Sequence, residues 1–212
     1  MKRLCAIVSG GEFSPLNEIE SSDFIICCDK GYEYVSRVGL SPNLVVGDFD
    51  SYLGAIPEKI PVVKLPKEKD DTDTMFAIKY AVNHGFKKIF LYCALGNRLD
   101  HTIANIQSSI WATPELEYLK IFSQNEEVYF INNSRIRIPK KENYSLSLFS
   151  ATDKCKNVTI KNVKYTLNNA TLTNSFPLGV SNEWIDDAEI SVESGILMIV
   201  LSKTERKDCE YC

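Results

Sequence analysis

The chain has 212 residues, a formal net charge of −4 and an apolar content of 44 %, enough to bury a sizeable core in one large domain or two small ones. That acidic balance excludes a generally basic surface for nucleic acid, so a phosphate chain would need a local basic pocket. The longest apolar runs, such as 196–201, are strand-length and far too short to span a bilayer.

In chain order, the basic start Lys2-Arg3 leads into only a brief apolar stretch before Ser9-Gly10-Gly11. A secretion signal needs a longer apolar region and a small-residue cleavage site, so residues 4–8 read as a first β-strand. Residues 24–28, 43–46, 62–65, 88–93 and 119–122 are further short, mostly apolar runs, which suit strands covered on both faces. Between them, 32–38, 72–84 and 101–112 carry helical patterning. In the second helix Met75, Ile78 and Val82 recur at helical spacing, Asp70 or Thr72 is placed to cap its start, and Gly85 ends it. This alternation predicts βαβ units with right-handed crossovers. Near Gln124 the pattern changes. Residues 127–131, 144–149, 156–160, 170–173, 188–192 and 196–201 are short strands divided by turn residues such as Asn132-Asn133-Ser134, Asn168-Asn169 and Glu193-Ser194-Gly195. The expected architecture is a mostly parallel α/β domain over residues 1–124, followed by an all-β sandwich over 125–212.

The seven cysteines are an odd count, and Cys5, Cys27, Cys28 and Cys93 fall within expected buried strands. A thiol there behaves as a small hydrophobe, which argues for a reducing cytoplasm over a disulfide framework. Cys209 and Cys212 have CxxC spacing at the C-terminus but no partner pair, and read as a solvated tail.

Chemistry concentrates in three acidic clusters of the first half: Gly47-Asp48-Phe49-Asp50-Ser51, Lys69-Asp70-Asp71-Thr72-Asp73 and Arg98-Leu99-Asp100-His101. Oxygen-only ligands of this kind suit Mg²⁺ held against substrate phosphates. Asp48 and Asp50 are two apart on an extended segment, so both carboxylates can face one metal. Asp70 and Asp73 are three apart at a helix start, where acidic residues also serve capping and the helix dipole. Lys67 and Lys69 just before them suit a site that holds both metal and phosphate. Arg98 can fork onto phosphate oxygens, and Asp100 can join the metal shell or orient a hydroxyl. His101 is a helix-start residue or a base, but with only two histidines present no zinc cluster is available. Neither a P-loop nor a dinucleotide fingerprint is present. In the second half, Ser181 and Asn182 stand beside Trp184, whose ring can stack on a flat cation or simply pack in the sandwich.

Taken together, GDFDS (47–51), EKDDTD (68–73), LGNRLDH (95–101) with Asn105 beyond it, and GVSNEW (179–184) resemble, in order and across both halves, the thiamine pyrophosphokinase family in its bacterial form. The resemblance implies transfer of the β,γ-pyrophosphoryl group of ATP to the hydroxyl of thiamine, giving thiamine diphosphate and AMP. It implies Mg²⁺ bound by Asp48, Asp50 and Asp73, with Asp70 and Asp100 completing the acidic site. Arg98 and Lys69 would engage the phosphates, with Asp73 or Asp100 orienting the thiamine hydroxyl. Gly10, Gly11, Asp29, Asp48 and Asn105 would border the nucleotide. Thr72, Asp73, Ser181, Asn182 and Trp184 would contact thiamine, the last three from the partner subunit of a homodimer. Two departures stand out: Asp29-Lys30-Gly31 replaces a double glycine, which leaves room for Lys30 as a phosphate ligand, and Lys69 stands where animal relatives carry glutamine. The competing readings are another Mg²⁺-dependent phosphotransferase or phosphatase, and a non-catalytic thiamine-binding sensor. No nucleic-acid or membrane partner is expected.

Overall fold

A computed structural model describes residues 3–48, 56–66, 68, 70–96 and 98–204. The chain divides into two compact units, Met1–Gln124 and Asn125–Cys212.

The first unit holds strands β1 (Leu4–Val8), β2 (Phe24–Cys28), β3 (Leu44–Gly47), β4 (Val62–Lys64), β5 (Lys88–Tyr92) and β6 (Tyr118–Phe122), with helices α1 (Gly31–Arg37), α2 (Asp73–Asn83) and α3 (Leu99–Ala112). The strands lie in the order β4-β3-β2-β1-β5-β6, every pair parallel. Each of β1, β3, β5 and β6 is apolar almost throughout because helices cover both faces of such a sheet. Leu4, Ala6 and Val8 join Tyr32 and Val35 of α1 in one buried cluster. Cys5 and Ile7 alternate with them and are fully buried. Helix α2 rests on β1, β2 and β3 through the buried Ala77, Ile78 and Ala81. Thr72 caps α2, its hydroxyl accepting from the Met75 N–H at 3.1 Å, and Gly85 ends it at φ 76°.

The strand order reverses at β1. The chain runs outward through β2, β3 and β4, then returns to place β5 on the other side of β1. Right-handed crossovers of opposite direction therefore leave a crevice above the carboxyl ends of β1 and β5, where open α/β sheets bind ligands.

The second unit is antiparallel. One sheet is β7 (Glu126–Asn132), β13 (Ile196–Lys203) and β9 (Tyr144–Ser150), with β13 in the middle. The other runs β11 (Leu167–Thr173), β10 (Lys154–Val163), β12 (Trp184–Ser191) and β8 (Arg135–Ile138). Alternation marks the inner faces: Leu197, Ile199 and Leu201 of β13 and Val158, Ile160 and Val163 of β10 are buried. Several strands depart from the sequence reading: β11 and β12 begin at 167 and 184 rather than at 170 and 188. β8 was not expected, because only four residues, two of them arginine, carry it. β10 runs from 154 to 163 rather than 156 to 160, continued through register shifts beside Asn157 and Asn162, whose φ of 53° and 64° mark the irregularities.

Candidate active site

Four strand ends converge on one cavity of about 600 Å³ in the first unit. Ser9–Glu12 follow β1, Cys28 ends β2 with Asp29 and Lys30 after it, Asp48 follows β3, and Cys93–Gly96 follow β5. Asp71–Thr74 at the start of α2, with Arg98, His101 and Asn105 around the start of α3, close the remaining walls. This is the crevice that the strand order creates.

The backbone around it is tightly held. Asp29 and Cys93, each just past a strand, adopt left-handed conformations with φ 45° and 54°, an arrangement that costs of order 1–3 kcal/mol in a non-glycine residue and clusters at functional sites. Cys93 is fixed by the buried Ser14, whose hydroxyl accepts from the Cys93 N–H at 3.2 Å while its own N–H points to Cys93 Sγ at 3.4 Å. The Gly11 N–H donates to the Cys93 carbonyl at 3.1 Å, joining the loop after β1 to the loop after β5. Gly47 abuts the Asp29 carboxylate so closely that a Cβ there would lie 1.9 Å from Asp29 Oδ1. Only glycine at the end of β3 lets that carboxylate occupy the cavity wall. Across the cavity the Ser9 and Thr74 hydroxyls are 2.9 Å apart, and the Cys28 thiol reaches the Asp73 carbonyl at 3.5 Å. Burial pushes the Cys28 thiol well above its ordinary range, aided by the Asp73 charge, so it stays a neutral packing group.

The structure brings many of the residues expected from the sequence together and separates others. Gly10, Gly11, Asp29, Asp48, Thr72, Asp73, Arg98 and Asn105 all line the cavity. Asn105 is buried, and its amide donates to the Ala94 carbonyl at 2.8 Å, so it braces the loop after β5. Asp70 lines a separate recess of about 330 Å³ with Leu65, Phe76 and Lys79. Its neighbour Asp71 faces both spaces and pairs with Lys79 at 2.6 Å. Asp100 does not line the cavity and holds Arg98, accepting from Nε at 3.2 Å and a terminal guanidinium nitrogen at 2.6 Å. That hydrogen bond, with the His101 N–H at 2.9 Å, keeps the Asp100 carboxyl below the usual carboxylate range and raises Arg98 further. Asp50, Lys67, Lys69 and the pair Cys209 and Cys212 lie outside the described residues.

Two cavity carboxylates were not assigned a site role from the sequence. Asp71 was passed over for Asp70, and adjacent carboxylates cannot be told apart before the cap at Thr72 sets which one faces inward. Glu12 follows the glycine pair, and its carboxylate lies against Gly96, where a Cβ would come within 2.4 Å of Oε2. The signal for it was only its position after the first strand. His101, read as a helix-start residue or a base, stands at the cavity wall.

As a donor set, Asp29, Asp48, Asp71 and Asp73 offer hard carboxylate oxygens and suit a hard divalent cation. Among the described residues, no three acidic, histidine or cysteine side chains form a preassembled metal centre.

In the second unit the expected thiamine-contact segment is bound into the fold. Asn182 is buried and bridges to Leu146 through both its backbone N–H and carbonyl. Its side-chain oxygen accepts from the N–H groups of Tyr165 and Glu183, each at 3.0 Å, and its amide donates to the Tyr165 carbonyl at 2.7 Å. Ser181 is exposed, left-handed at φ 57°, and donates its N–H to the Ser147 hydroxyl at 3.0 Å. Trp184 is half-buried, with its indole N–H donating to the Tyr144 carbonyl at 2.7 Å.

Comparison with known proteins gives the same division of the chain. Residues 16–121 match the family model for the thiamin pyrophosphokinase catalytic domain, and residues 133–197 match that for the thiamin pyrophosphokinase vitamin B1 binding domain. Thiamine pyrophosphokinase of Bacillus subtilis is 26 % identical over 207 residues, covering 92 % of this chain and 97 % of that protein. A crystal structure of the B. subtilis thiamine pyrophosphokinase superposes with a TM-score of 0.82 at 25 % identity, covering 95 % of this chain and 99 % of that one. The thiamin pyrophosphokinase of Geobacillus thermodenitrificans gives 0.81 at 25 % identity, covering 97 % and 99 %. With both family models matched in order over most of its length, the chain belongs to the thiamine pyrophosphokinase family.

Proposed function

We propose that this chain transfers the β,γ-pyrophosphoryl group of ATP to the hydroxyl of thiamine, releasing AMP and thiamine diphosphate. The observation that carries the reading is the gathering of Asp48, Asp73 and Arg98, from three separate stretches, around one cavity at the reversal point of a parallel sheet. In the reaction the thiamine hydroxyl oxygen attacks the β-phosphorus. The bond from that phosphorus to the oxygen bridging it to the α-phosphorus breaks, and AMP departs with the bridging oxygen.

Transfer of this kind needs alignment and charge neutralisation more than covalent help. Asp73, the first residue of α2 and a cavity wall, is placed to orient the thiamine hydroxyl and accept its proton as the bond forms. Arg98 supplies positive charge for the phosphates, and Asp100 sets its direction. Lys69 is assigned to the same task from the resemblance. Asp48 and Asp73, joined by Asp50, would hold Mg²⁺. When bound, that ion would offset the charge of the phosphate chain and of departing AMP. Asp71 is better placed than Asp70 to support this set, because it faces the cavity.

Thiamine would be held by Thr72 and Asp73 and, from a partner subunit, by the exposed Ser181 and the ring of Trp184. A homodimer is therefore part of the reading. Cytoplasmic residence is too, supported by the five buried free thiols among the described residues. No described helix is long and apolar enough to cross a membrane. Incubation with ATP, Mg²⁺ and thiamine, followed by chromatography, is expected to give equal amounts of AMP and thiamine diphosphate. Release of ADP or free phosphate, or binding with no AMP formed, would contradict the proposal.

A further inference from the structure

We propose that Lys30 is the cation that receives the β,γ-phosphates of the nucleotide at the end of β2, an assignment that rests on the ATP-dependent reading above. The described walls of the cavity carry five carboxylates, from Glu12, Asp29, Asp48, Asp71 and Asp73, against the cations of Lys30 and Arg98. A phosphate chain entering that space meets repulsion unless donors are aimed at it. Arg98 already spends Nε and a terminal nitrogen on Asp100. Lys30 forms no ion pair among the described residues. Its ammonium lies over the ring of Tyr34, 5.6 Å from the centroid, a contact that leaves its three N–H donors free.

Position follows from the backbone. Asp29 is left-handed, and its N–H donates to the Val46 carbonyl at 2.9 Å. Gly31 presses against β1, where a Cβ would lie 2.0 Å from the Val8 carbonyl oxygen, so no other residue fits there without moving the strand. Lys30 is thereby fixed between two pinned residues at the cavity wall, beside Gly10. The ring beneath its ammonium is tied to the glycine loop, since the Tyr34 hydroxyl donates to the Gly11 carbonyl at 2.8 Å. Helix energetics do not account for a lysine here. It precedes the first residue of α1, the end of a helix that disfavours cations.

The test compares wild-type, Lys30→Ala and Lys30→Arg proteins for equilibrium binding of ATP and of AMP, together with steady-state constants for ATP and thiamine. Lys30→Ala is expected to weaken ATP binding by roughly tenfold to a hundredfold, the usual worth of a charge-assisted hydrogen bond. AMP binding and the thiamine KM should stay at wild-type values, and Lys30→Arg should restore most of the ATP affinity. An equal loss for ATP and AMP, or unchanged ATP affinity in Lys30→Ala, overturns the assignment. The two failures are separable. Wild-type protein that forms no AMP from ATP and thiamine refutes the transferase reading. Wild-type protein that forms AMP beside a Lys30→Ala variant with full ATP affinity refutes only the role of Lys30.

Discussion

The cavity of the first unit and the 179–184 segment of the second treat their polar groups in opposite ways. In the cavity, Asp48, Asp73 and Lys30 line one wall from two strand ends and a helix start. In the segment, the amide of Asn182 and the indole N–H of Trp184 are each committed to a neighbouring backbone group. Strand ends of a parallel sheet hold backbone direction and set side chains around a shared cleft. A turn between antiparallel strands uses its side chains to hold itself. Residues of one motif can thus differ in role: in 179–184 Ser181 is exposed, while Asn182 is buried and braces the turn.

The sharpest way to break that contrast is Asp73→Asn. The variant should lose roughly a hundredfold to ten-thousandfold in kcat, as expected for a lost proton acceptor, with circular dichroism and melting temperature unchanged. Wild-type-like turnover at saturating Mg²⁺ would remove Asp73 from the mechanism. Asn182→Ala tests the other side. It strips partners from three backbone groups of the exposed Tyr165 and Glu183, which water can partly replace, so unfolding free energy should fall by about 1–2 kcal/mol in denaturant titration. Lost thiamine affinity at unchanged stability would instead make Asn182 a ligand contact. Trp184→Phe keeps a ring but leaves the Tyr144 carbonyl without its donor, a loss of about 1 kcal/mol. Trp184→Ala should raise the thiamine KM more than that for ATP, and an unchanged thiamine KM would return Trp184 to a packing role.

The smallest effect concerns Asp100. Its folded carboxyl titrates below the usual range because Arg98 and the His101 N–H favour the ionised form. The pair therefore contributes fully above the unfolded carboxylate range, and its contribution is lost as pH falls through the depressed folded value. Both side chains are exposed, so salt should screen the effect. An NMR titration of Asp100 should move upward in Arg98→Ala. An unmoved midpoint would assign the depression to the helix start alone.

Legibility followed the same divide. The parallel strands were readable because burial on both faces makes each a solid apolar run, and the bounds of β1 and β2 match the sequence reading. β8 and the extension of β10 were not: β8 alternates over only four residues, two of them arginine, and β10 is broken by left-handed asparagines whose conformation no local pattern announces. In the site, the clusters that hold Asp48 and Asp73 were plain from composition. Which of Asp70 and Asp71 faces inward depended on a capping geometry one residue away, and the turn of Asp100 toward Arg98 depended on side-chain choice at an exposed helix start. What Gly47 accommodates, the Asp29 carboxylate from the end of another strand, was not legible at all.

The hold that Ser14 and Gly11 exert on Cys93 ties two loops, separated by some eighty positions of chain, into a single mechanical part. Replacements at these three sites are then not independent in evolution: a bulkier residue at 11 must be answered by a shift at 93, and loss of the hydroxyl at 14 frees both. Related chains should exchange the trio as a set, and directed evolution that randomises one loop alone should recover mostly inactive variants.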